Sequence, residues 1–135
     1  MSLFVDTNVF IHFLLEYDPQ RLERCRQLLA AAENGEIDLE TSDMVIAEIV
    51  WFLERPPIRM KPNAIRDRLL PLIGLPGLRL PDKNFLGEAF QTYVERGVNF
   101  IDAYNAAVMR RRRIDRIYSY DSDFDRLPGL TRLEP

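Results

Sequence analysis

Leu3-Phe4-Val5-Asp6-Thr7-Asn8-Val9-Phe10-Ile11-His12-Phe13-Leu14 is the stretch that decides how this chain folds. Residues 2 to 5 form a short apolar run that stops at Asp6. Beyond it Val9, Phe10, Phe13 and Leu14 recur with helical spacing. The hydrophobic period thus changes across a single carboxylate, the pattern of a strand feeding a helix.

The same alternation continues downstream. Pro19 is placed to open a second helix whose apolar stripe is Leu22, Cys25, Leu28, Leu29 and Ala32, and Asn34-Gly35 closes it. Glu36 to Thr41 reads as a short strand. Ser42 caps a helix from about Asp43 to Glu54, terminated by Pro56-Pro57, and another helix spans Pro62 to Leu70. Leu78-Arg79-Leu80 alternates as a strand does. Asp82 caps a helix to about Arg96 that buries Phe85, Leu86, Ala89, Phe90 and Tyr93, and Gly97 ends it. Asn99 caps the next helix, to about Arg112. Ile114 to Ser119 then reads as a strand stopping before Asp121, and Leu130 to Leu133 as a last short one. Strands separated by helical crossovers predict an α/β fold with a mainly parallel sheet covered by helices. Ligands of such sheets bind beyond the carboxyl ends of the strands, where Asp6 and Asp121 sit.

A length of 135 residues suits one domain with a single core, and 47% hydrophobic with 29% charged residues is ordinary globular composition, which excludes a disordered tail. The apolar start lacks a basic leader region and a small-residue cleavage site, and no run approaches the roughly 20 apolar residues of a membrane span. With one cysteine, Cys25, there is no disulfide partner in the chain, so a cytoplasmic location is expected and no membrane partner. The net charge of −3 is unusual for a nucleic-acid binder, so the distribution of charge matters more than its sum. Arg110, Arg111, Arg112, Arg113 and Arg116 crowd one segment. They read either as a solvated helix end complementing the dipole or as a contact for RNA or a partner.

Four acids stand out, and each has an ordinary alternative. Asp6 is placed to cap the helix after it. Asp121 lies among alternating carboxylates in Tyr120-Asp121-Ser122-Asp123-Phe124-Asp125, a composition common in turns. Glu48 is the only charge between Met44 and Leu53, one turn from Met44, Val45, Trp51 and Phe52. A charge in so apolar a helix is expected to be poorly hydrated, and therefore paired with a distant arginine, protonated or metal-linked. Asp102 is near a helix start, where the dipole favours an acid. It also shares a polar stripe with Asn99, Asn105 and Ala106 that suits a hydrated cavity.

Brought close, four carboxylates repel and raise one another's pKa unless a cation neutralises them. Mg²⁺ does so with oxygen ligands alone and leaves positions open for a phosphate. The absence of a histidine cluster or second cysteine argues against zinc, and His12, the only histidine, is a weak candidate for an acid or base. Such an ion acidifies a bound water in line with a phosphodiester and steadies the leaving oxygen, with no protein nucleophile required. Thr7, Asn8 and Ser119 are short polar residues suited to bracing a carboxylate or water, or to turn and cap chemistry alone.

Leu3-Phe4-Val5-Asp6-Thr7-Asn8, Ala47-Glu48-Ile49-Val50-Trp51-Phe52-Leu53-Glu54-Arg55, Phe100-Ile101-Asp102-Ala103 and Ser119-Tyr120-Asp121-Ser122-Asp123-Phe124-Asp125-Arg126-Leu127-Pro128-Gly129 together resemble the PIN-domain ribonucleases, and their size and order resemble the VapC-type toxins. The resemblance spans essentially the whole chain, in four blocks in the right order. It implies a single PIN domain over residues 1–135, a three-layer α/β/α sandwich around a central, mainly parallel sheet of four or five strands. It also implies Mg²⁺- or Mn²⁺-dependent endonucleolytic cleavage of RNA, often tRNA or rRNA. Asp6 and Asp102 match the family's principal metal ligands, Glu48 and Asp121 the other two acids of its quartet, with Asp121 also placed at the metal, and Asp123 a more variable neighbour. The resemblance further implies a homodimer silenced by a cognate antitoxin that covers the acidic groove. Residues 56–81 match no block, which leaves substrate choice open.

Two other readings compete. A haloacid-dehalogenase-type phosphatase resembles Asp-x-Asp after its first strand, but Asn8 stands at the second position here. A catalytically inactive PIN-like module that only binds RNA or antitoxin has no reason to keep the acid quartet intact.

Overall fold

The structure is a computed structural model that describes residues 1–135. The backbone divides into two compact units, Met1–Lys83 and Asn84–Pro135.

In the first unit β1 (Ser2–Phe4) leads into α1 (Thr7–Leu15) and α2 (Pro19–Glu33), followed by β2 (Asp38–Glu40), α3 (Asp43–Glu54), α4 (Pro62–Ile73) and β3 (Leu78–Arg79). The strands form a parallel sheet in the order β1-β2-β3, with Leu3 opposite Leu39 and Leu39 opposite Leu78. Helix α1 packs on α2 and α3, and α3 on α4. Val5, Phe10, Ile11, Leu29, Leu39, Ile49, Leu53, Ile65 and Leu69 are among the buried residues of this unit.

Local chemistry fixes these elements as the sequence predicts. Asp18 accepts from the amides of Gln20 and Arg21 with Pro19 in the first turn of α2, and Ser42 accepts from Val45 at the start of α3. Helix α4 continues past the expected stop at Leu70. Pro71 forfeits only its own amide and stays exposed, whereas burial of Leu72 and Ile73 carries the last turn. Gly77 is fixed by close approach: a Cβ there would lie 2.1 Å from the Ala32 carbonyl oxygen, while its own carbonyl accepts from Leu39.

In the second unit α5 (Lys83–Arg96) and α6 (Phe100–Arg112) precede β4 (Arg116–Tyr118), a 3₁₀ turn (Ser122–Arg126) and β5 (Thr131–Leu133). Strands β4 and β5 pair in parallel, Ile117 opposite Arg132. Phe90, Tyr93 and Phe100 form an aromatic cluster with ring centroids 4.8 to 6.3 Å apart. β4 starts two residues later than expected because Ile114 is used by the helix end. Arg113 adopts a left-handed conformation, and the amides of Arg113 and Ile114 bond back to Arg110 and Met109. All five strands pair in parallel; β1, β2 and β3 bond within the first unit and β4 and β5 within the second. No helix is long and apolar enough to cross a membrane.

Candidate active site

The predicted acids fall into two groups, one in each unit. In the first unit, Asp6 follows β1 directly and is the N-cap of α1, its Oδ1 accepting from the Thr7 amide at 2.8 Å. The end of β1 is locked from the side. Thr41, only 6% exposed, donates from Oγ1 to the Val5 carbonyl at 2.8 Å, and the Val5 amide donates to Glu40. The strand terminus that presents Asp6 is thereby tied to β2.

Glu48 is exposed, which corrects the expectation of a poorly hydrated charge. Helix α3 is not apolar all round in its setting: Val45, Ile46, Ile49, Val50 and Leu53 are buried, while Met44, Glu48 and Trp51 share the solvent-facing stripe. No arginine pairs with Glu48. Asp6, Thr7, Asn8 and Glu48 instead line one cavity of about 310 Å³, together with Tyr17, Trp51, Phe52 and Arg55. The Thr7 hydroxyl is buried without a partner beside Asp6.

In the second unit, Asp102 lies in the first turn of α6, with Asn99 capping the helix through the Ile101 amide. Carboxylate oxygens of Asp102, Asp121 and Asp123 lie within 4.8 Å of one another. Asp102 Oδ2 is buried and has no partner. Its carboxyl is held above the usual aspartate pKa, first by burial, then by the charge and close carboxyl contact of Asp121, and by the charge of Asp123. Ser119 Oγ accepts from the Asp121 amide and Asp121 accepts from the Asp123 amide, so the chain turns sharply enough to bring both acids to Asp102.

The alternating acids of 121–125 divide by partner. Asp123 accepts from Arg126 at 2.9 Å while remaining in the cluster, whereas Asp125 is bound by Arg132 at 3.0 and 3.3 Å. Asn105 is exposed one turn beyond Asp102. His12 accepts from Arg21 at 3.1 Å and meets the Tyr17 ring edge-on. The arginine run is partly structural: Arg110 donates to Thr92 and Arg111 pairs with Glu88, both on α5.

Some of these contacts leave no clear trace in the sequence. Thr41 reads only as a residue before a helix, since a strand-to-strand side-chain bond leaves no periodic trace. The resemblance singles out Asp123, and the structure places it with Asp102 and Asp121, whereas Asp125 is taken by Arg132. Trp51 and Arg55 read as a buried helix face and its end.

The donor set of the second group is oxygen only, and the orphaned Asp102 Oδ2 among three carboxylates is what a hard divalent cation satisfies, so these residues fit Mg²⁺ or Mn²⁺.

The PIN domain family model matches residues 3–130. VapC ribonuclease Mb1869c of Mycobacterium bovis and Ribonuclease VapC13 of Mycobacterium tuberculosis are each 30% identical over 97% of this chain and 98% of their own length. A solved structure of the Mycobacterium tuberculosis toxin VapC20, described as cleaving the sarcin-ricin loop, aligns over all of both chains at 22% identity with a TM-score of 0.41. A family model covering nearly the whole sequence, with two full-length relatives of the same kind, places this chain in the PIN-domain family, among its VapC-type members.

Proposed function

We propose that this chain is a metal-dependent endoribonuclease, the toxin of a toxin–antitoxin pair, and that residues 1–135 work as one PIN domain. The observation that carries the reading is the unpartnered, buried Oδ2 of Asp102 among three converging carboxylates. Of these acids only Asp123 has a cation of the protein's own, Arg126. Such a cluster is costly to keep charged unless a ligand cation belongs there.

On this reading Asp102 and Asp121, with Asp123 alongside, would hold Mg²⁺ or Mn²⁺, and the family resemblance adds Asp6 as a further ligand. A divalent ion held there would supply a more acidic water and charge neutralisation at a phosphodiester. The remaining work falls to the chain's own groups. Glu48, exposed in its cavity and free of any ion pair, orients water and accepts a proton from it. The Asp6 cap bond and the Thr41 tie fix one carboxylate, and Ser119 fixes the turn that presents another. Thr7, Asn8 and Asn105 supply short polar side chains next to these acids.

RNA is the substrate, with tRNA and rRNA as the structured candidates. The names of the two VapC relatives support cleavage of RNA. A cognate antitoxin that covers the acidic groove, a homodimer and action in the cytoplasm complete the reading, and these rest on the family resemblance. In the decisive assay, purified protein cleaves RNA with Mg²⁺ or Mn²⁺ and chelator stops it. Asp6→Asn and Asp102→Asn abolish turnover without altering the circular dichroism spectrum. Undiminished cleavage in excess chelator, or in both variants, contradicts the proposal.

A further inference from the structure

The cavity that holds Asp6 and Glu48 has a second, non-acidic wall. Trp51 is 57% exposed and Tyr17 59%, and both line it. Trp51 lies one turn beyond Glu48 on the solvent-facing stripe of α3. The guanidinium of Arg55 sits 3.7 Å over the Trp51 ring and 5.0 Å from Phe52. Arg55 forms no ion pair or hydrogen bond, so a planar cation and an indole are stacked in a cavity of about 310 Å³ with the charge unspent.

We propose that Trp51, Arg55 and Tyr17 form a subsite that grips an unpaired nucleobase next to the scissile phosphate of RNA. The inference rests on the ribonuclease reading of Asp6 and Glu48, which line the same cavity. Aromatic rings and guanidinium planes are the surfaces on which proteins stack splayed single-stranded bases, and stacking tolerates any base because each has a π-face. Arg55 adds attraction for the adjoining phosphate, which offsets the repulsion that Asp6 and Glu48 impose on an anionic backbone. A base wedged there must first leave its helix, so the subsite selects loops and single strands over duplex. Neither Trp51 nor Arg55 is needed to hold the α3 core, because the buried residues lie on the other faces.

Trp51 is the only tryptophan in the chain, so its fluorescence reports on this cavity alone. In excess chelator, titration with poly(A), poly(U) and poly(C) single strands is expected to quench that emission, and duplex poly(A)·poly(U) is expected to leave it unchanged. With Mg²⁺ and a hairpin RNA carrying an unpaired loop, Trp51→Ala should raise KM about ten- to hundredfold with a smaller change in kcat. Trp51→Phe should recover most of the loss. The quenching needs no turnover, so it stands or falls separately from the ribonuclease reading. Absence of quenching by all three single strands overturns the subsite, as does a Trp51→Ala variant with unchanged KM. If that variant cleaves normally but loses inhibition by a co-expressed antitoxin, the surface belongs to a protein partner and the inference is wrong.

Discussion

Asp102 carries two opposed demands: partial burial and neighbouring negative charge penalise its ionised form, yet metal binding requires that form. Its folded-state pKa lies above the unfolded one, so the folded chain holds the extra proton between the two values. Without metal, stability therefore falls as pH rises from the ordinary aspartate value of about 4 through the raised value, and this penalty is absent below both. Asp102→Asn should remove that decline and melt at or above the wild-type temperature at neutral pH. Mg²⁺ should raise the melting temperature of the wild type and not that of the variant. Thermal melts across pH, with and without Mg²⁺, check both statements. Asp6, Asp102 and Asp121 stand out in sequence because each breaks a local pattern at a strand end or helix start, and the structure brings Asp102 and Asp121 together with Asp123. Glu48 stands out in sequence by its apolar neighbours, yet it is hydrated, because Met44 and Trp51 face solvent beside it and the buried residues of α3 lie on other faces.

At the scale of elements, what presents Asp6 is the junction of β1 with β2. Thr41 holds it through a side-chain bond to the Val5 carbonyl, one residue before the acid. Thr41→Val keeps the shape and removes the donor, which should cost about 1–3 kcal/mol of stability in urea unfolding. Because the following residue is the acid itself, cleavage should fall about ten- to hundredfold through misplacement, and Thr41→Ser should restore most of it. Element types and most boundaries can be read from sequence because caps and breakers are local: Pro19, Ser42 and Asn99 act where their residue types predict. The errors lie where distant packing decides. Buried Leu72 and Ile73 carry α4 past Pro71, and the left-handed Arg113 absorbs Ile114 into the end of α6.

At the scale of the whole chain, the family match over residues 3–130 takes in every acid of the proposed set. The strand and helix order and the parallel pairing followed from hydrophobic period alone. The convergence of Asp102, Asp121 and Asp123 did not, since hydrophobic period says nothing of which carboxylates meet. Segment 56–81, silent in motif terms, proves to be α4 and β3, built from ordinary core positions such as Ile65, Leu69 and Leu78. The proposed function requires Asp6 and Asp102 to act on the same ion. Mn²⁺ affinity measured by electron paramagnetic resonance across the wild type, Asp6→Asn, Asp102→Asn and the double variant tests it most directly. Each single change is expected to weaken binding strongly and the double change to add little more, the signature of coupled ligands. Full additivity of the two losses, or an Asp6→Asn variant that binds Mn²⁺ as tightly as the wild type, would contradict it.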